Sequence, residues 1–89
     1  MNERSKVILS DGTEIVNGRA GYADGFLWIK CTGLTIGEAA LMFTDSEKTA
    51  TIVFLYGADT ATFVGFTTCR VISQDVDGLV SVCLEKGEE

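Results

Sequence analysis

Gly21-Tyr22-Ala23-Asp24-Gly25-Phe26-Leu27-Trp28-Ile29-Lys30-Cys31-Thr32 sets an Asp-Gly pair between two short runs, the second of them alternating. A pair in that position is a strong hairpin signal, because tight turns need positive φ and glycine takes it without steric cost. Beyond the turn, Leu27, Ile29 and Cys31 face one way and Phe26, Trp28, Lys30 and Thr32 the other. The same pair recurs at Asp11-Gly12 and Asp77-Gly78, each between apolar runs. The chain therefore reads as hairpins joined in series.

Working outward, residues 6–10 and 13–16 form strands around Asp11-Gly12, and Asn17-Gly18 is a further turn signal. Residues 50–56 are apolar on both faces except at Thr51, which predicts a strand buried on both sides. A four-residue loop, Gly57-Ala58-Asp59-Thr60, would place Phe54 opposite Phe63 and Ile52 opposite Gly65, with Gly65 marking a bulge or bend. Residues 67–74 and 79–84 form the last hairpin. Simple alternation puts Cys69 and Val71 with Val80, Val82 and Leu84, and puts Cys83 with Arg70 and Ile72. Cys69 and Cys83 then point to opposite sides and cannot easily bridge, while Arg70 comes near Glu85. Thr35-Ile36-Gly37-Glu38 matches a capping box and opens the one helix signal, over about residues 35–44. The expected fold is mainly β (α+β): a small antiparallel β-sandwich or partly closed barrel of about seven strands with one short helix.

Eighty-nine residues make a single domain, 1–89, with residues 1–5 and 86–89 expected to be flexible. A chain this short buries only about 60–65% of the surface its unfolded form exposes. Yet 46% of its residues are apolar and the mean hydropathy is +0.24. That surplus argues for burial against another protein. The net charge is −6, and the seven basic residues are scattered singly, which disfavours nucleic acid and anionic membrane as partners. No apolar leader precedes the first strand and no run approaches the ~20 residues of a membrane helix, so synthesis in a cytoplasm is expected.

No histidine is present, which removes the commonest general base and metal ligand. The three cysteines lack the spacing of a zinc module, and Asp75-Val76-Asp77-Gly78 lacks the ligands of a calcium loop. Gly18-x-x-Gly21 and Gly33-x-x-x-Gly37 are not followed by the Lys-Ser/Thr of a phosphate loop. No catalytic residue, metal site or cofactor is expected, and an enzyme would require acids such as Glu14, Asp24 or Glu38 to converge on a pocket. Aromatics are enriched where proteins meet. Phe26 and Trp28 on one strand, and Ile52, Phe54 and Tyr56 on another, are the expected interface residues. A monomeric module for a host or carbohydrate ligand would instead expose aromatics on loops around Tyr22 or Tyr56.

Several stretches resemble a family of small proteins encoded in the head–tail gene region of prophages from gut bacteria. They are Leu9-Ser10-Asp11-Gly12-Thr13-Glu14-Ile15, Gly21-Tyr22-Ala23-Asp24-Gly25-Phe26-Leu27-Trp28-Ile29, Ala39-Ala40-Leu41-Met42-Phe43, Tyr56-Gly57, Gly65-Phe66-Thr67-Thr68-Cys69, and residues 75–84. The resemblance implies a non-enzymatic structural or assembly component of a tailed phage, at the head–tail connector, tail or baseplate. Its partners would be copies of itself or other phage structural proteins, first in the host cytoplasm and then in the virion. It brings no catalytic or binding residues.

Overall fold

The computed structural model describes residues 5–87. It contains β1 (Ser5–Ile8), β2 (Glu14–Val16), β3 (Arg19–Ala23), β4 (Phe26–Cys31), α1 (Ile36–Phe43), β5 (Thr51–Tyr56), β6 (Asp59–Val64), β7 (Thr68–Gln74) and β8 (Val80–Glu85). The eight strands form two four-stranded antiparallel sheets, ordered β2-β1-β5-β6 (sheet I) and β3-β4-β8-β7 (sheet II). Neither closes on itself, so the fold is a sandwich rather than a barrel.

The turns follow from where positive φ falls. Asp24 (φ 55°) and Gly25 (φ 84°) form a two-residue turn with both centres left-handed, matching the twist of β3 and β4. The other two Asp-Gly pairs make three-residue loops, each a turn closed by a left-handed glycine. Gly12 donates to the Leu9 carbonyl (3.0 Å) while Leu9 donates to Thr13 (2.9 Å); Gly78 donates to Asp75 (3.0 Å) while Asp75 donates to Leu79 (3.1 Å). Asn17-Gly18 is the corner at which the chain leaves sheet I for sheet II. A side chain at Gly18 would sit 3.1 Å from both Ile15 Cγ2 and Val7 Cγ2, tighter than ordinary contact, so glycine lets the corner lie against the core without displacing them.

The interior lies between the sheets. Val7, Ile15 and Ile52 from sheet I meet Leu27, Ile29, Val80, Val82 and Leu84 from sheet II. Leu27, Ile29 and Cys31 are buried, as the alternation of β4 predicts. The helix adds Ala39 and Phe43, one turn apart on a single face and both wholly buried. Its start is the capping box: Glu38 N–H donates to Thr35 Oγ1 (3.1 Å), and Thr35 N–H donates to Glu38 Oε1 (2.9 Å). Eight residues are too few to hold a helix alone in water, so packing must hold this one. Ser10 Oγ, which accepts from Thr51 N–H (2.7 Å) and donates to the Thr51 carbonyl (3.0 Å), ties the first loop to β5.

Three expectations are corrected. The β5–β6 connection is the two-residue Gly57-Ala58, with Tyr56 opposite Asp59, so Phe54 faces Ala61 and Ile52 faces Phe63. Gly57 at φ 61° takes the first turn position, which shortens the loop. Gly65 lies beyond β6 and bends the chain toward sheet II, its N–H donating to Ala50 (2.9 Å). In the last hairpin the register shifts between Cys69 and Val71: Cys69 faces Leu84, but Val71 faces Cys83 and Ile72 faces Val82. The extra residue, Arg70, flips everything after it, turning Val71 outward and Ile72 toward the core. Cys69 and Cys83 still lie on opposite faces, all three cysteines are free thiols, and Arg70 Nε lies 3.5 Å from Glu85 Oε1. Burial pushes the thiols of Cys31, Cys69 and Cys83 above their ordinary pKa.

Of the ends expected to be loose, Ser5 is paired with Tyr56, Lys86 Nζ sits 5.9 Å from the centre of the Phe66 ring, and Gly87 N–H donates to Gly65 (3.0 Å). Residues 1–4 and 88–89 lie outside the described residues.

Candidate interaction surface

Sheet II presents its outward face through alternate residues of four strands. Gly21 on β3, Trp28 on β4, Cys83 on β8 and Val71 on β7 stand in one row across it. Trp28 is 39% exposed and Val71 is exposed, while Cys83 between them is buried. Phe26, half-buried, stands in the next row beside Ala23. Trp28 therefore belongs to the face turned away from the core, on the side opposite Leu27 and Ile29. A partly exposed aromatic ring on a sheet face is of the kind enriched where proteins meet.

Beside Trp28 the surface is hollow. A side chain at Gly21 would meet nothing within 4 Å. The cleft there has a volume of about 680 Å³ and is lined by Arg19, Gly21, Trp28, Lys30, Ser73 and Ser81, together with Tyr22 and its alanine neighbours. Arg19 and Lys30 are directly opposite one another across β3 and β4. Like charges so placed repel. Among the described residues the ion pairs are Lys6–Glu14 and Arg70–Glu85, and neither includes Arg19 or Lys30. The pairing was within reach of the sequence. A two-residue turn at Asp24-Gly25 sets Arg19 against Lys30 once the strand is extended back past Gly21.

The other expected interface residues divide between surface and core. Ile52 is wholly buried on the inward side of sheet I and has no surface to offer a partner. Phe54 is half-buried on the same inward side. Tyr56 (46% exposed) stacks on it at the rim of the sandwich, centroids 6.5 Å apart. These three do not join Phe26 and Trp28 in one patch. Nor is β5 wholly buried on both faces: Val53 and Leu55 point outward with Ile8 and are half-buried.

Tyr22 (58% exposed) and Tyr56 lie on strands β3 and β5, not on loops. Tyr22 packs edge-on against Phe66 (5.8 Å), which packs edge-on against Phe63 (6.2 Å), making a second, shallower aromatic cleft that Lys86 borders. Glu14 pairs with Lys6, Asp24 is a turn residue and Glu38 caps α1; none of them lines any of these clefts. Among the described residues no group of His, Cys, Asp or Glu side chains gathers as a metal site would, and no helix is long and apolar enough to cross a membrane. No family model, curated protein or solved structure matches this chain.

Proposed function

We propose that this protein is a non-enzymatic assembly component that works by contact with other protein, in the first place with copies of itself. The observation that supports this most is Trp28, an aromatic side chain held out of its own core on a sheet face that continues through Phe26 and Val71. The outward strip of sheet I through Val53 and Leu55 is apolar too, though half-buried where Trp28 is exposed. Closed homo-oligomers are the usual product of such surfaces. The resemblance in sequence supplies the setting, a tailed phage: a component of the connector, tail or baseplate made in the bacterial cytoplasm and carried into the virion. Its partners there would be itself or other phage structural proteins, without nucleic acid, membrane or cofactor.

Light scattering on a size-exclusion column tests the self-association. At tens of micromolar the mass is expected to exceed the 9.5 kDa of one chain and to fall on dilution. A constant 9.5 kDa would remove self-association from the account. A monomeric module for a host or carbohydrate ligand is the second reading; the rings of Tyr22 and Tyr56 are exposed as it requires, but on strands rather than on the loops it expects. Cell-wall sugars would then perturb the chemical shifts of those two residues, and unmoved signals would end it.

A further inference from the structure

The cleft beside Trp28 carries two cations, Arg19 and Lys30, that pair with no acid among the described residues, in a chain whose net charge is −6. The same molecule carries a feature of complementary shape and sign. At the β7–β8 turn, Val76 is 102% exposed, entirely in solvent, between Asp75 and Asp77. Asp75 Oδ1 is occupied in shaping the turn, accepting from Asp77 N–H (2.9 Å) and Leu79 N–H (3.0 Å). Asp77 makes no ion pair among the described residues. An apolar knob flanked by carboxylates thus faces solvent at one site, and an apolar hollow flanked by cations at another.

The geometry points to a self-complementary contact: the Asp75-Val76-Asp77 tip of one copy seats in the Arg19/Trp28/Lys30 cleft of a second copy. This rests on the self-association proposed above and names its chemistry. The tip cannot serve its own cleft. Ser73 and Ser81, which line the cleft, are paired one step before Gln74 and Val80, and the hairpin continues past them in the plane of its own sheet. Tip and cleft therefore lie at the same end of sheet II, about 10 Å apart at ~3.3 Å per residue. A two-fold axis between them lets each copy insert its tip into the other, both contacts closing together. Val76 would lie against the Trp28 ring, with the carboxylates meeting Arg19 and Lys30. The facing cations, a local cost within one copy, become the recognition element between two.

A charge exchange tests the contact. One variant carries Asp77→Lys, the other Arg19→Glu with Lys30→Glu. All three positions are exposed, so the urea midpoint of each variant should match that of the wild type. Each variant alone sets position 77 against like charges at both contacts, and its self-association, read by sedimentation, should weaken at least about tenfold at low salt. Mixed in equal amounts they set position 77 against unlike charges at both contacts, and association should return. Raising the salt should shrink both effects, since the exposed part of the attraction is screened. Gly21→Val, which fills the open space beside Trp28, should weaken association without any change of charge. Association of the wild type that neither charge variant weakens, or a mixture that fails to restore it, would overturn this contact while leaving self-association standing. A wild type that stays monomeric would overturn both.

Discussion

Phe43→Ala is expected to cost about 3–5 kcal/mol, the range for emptying a buried phenylalanine site. Phe43 is wholly buried and is, with Ala39, one of the two buried side chains of α1, Met42 packing half-buried against the same core. Two effects combine there. The interior loses a ring's worth of packing, and the helix loses its anchor. Ile36–Phe43 is too short to persist on capping alone, so the helix should detach rather than settle into the gap. Total stability for a chain of this size is of order 4–13 kcal/mol at ~0.05–0.15 kcal/mol per residue. The loss is a large fraction of it, and a melting temperature lower by well over 12 °C is expected at roughly 4–8 °C per kcal/mol. Leu41→Ala, on the exposed side of the same helix, should stay within about 0.5 kcal/mol of the wild type. Equal losses from the two substitutions in urea denaturation would show that α1 is not anchored through Phe43.

Trp28→Ala should separate folding from association. Truncating a central aromatic anchor commonly costs about 2 kcal/mol of binding or more, which is about 30-fold in the dissociation constant. The fold should lose far less, about 1 kcal/mol, because the ring is partly in solvent and lies outside the core cluster. A second readout comes from Cys83, which stands between Trp28 and Val71 and is buried although it is on the outward face. Removing the ring uncovers the thiol and relieves the desolvation that raises its pKa, so Cys83 should react faster with a thiol reagent at pH 8. A variant that unfolds outright, or one that associates as tightly as the wild type, would place Trp28 in a purely structural role.

What could be read from the residues was what depends on neighbours along the chain. The Asp24-Gly25 turn, the inward Leu27, Ile29 and Cys31, and the Thr35/Glu38 cap all formed where local chemistry puts them. The Arg70–Glu85 pair formed as well. What escaped depends on the partner strand. Tyr56-Gly57-Ala58-Asp59 does not announce that Gly57 takes positive φ and shortens the loop, so the β5–β6 register was displaced by two residues while the faces stayed correct. The bulge at Arg70 is invisible to alternation within β7 alone, because an extra residue is defined only against β8. For the surface, Trp28 and Phe26 were legible as outward, since parity follows from the turn. Ile52 and Phe54 were not, because an all-apolar strand carries no sign of which face is inside.

Trp28 is the only tryptophan, and its fluorescence reports directly on the surface held to be covered when copies meet. Acrylamide quenching of that emission, followed from below one micromolar to about 100 micromolar protein, tests the central claim. The account predicts emission that shifts to the blue and becomes harder to quench as concentration rises, in step with the mass. Quenching that stays constant while the mass rises would place the contact elsewhere on the molecule and contradict it.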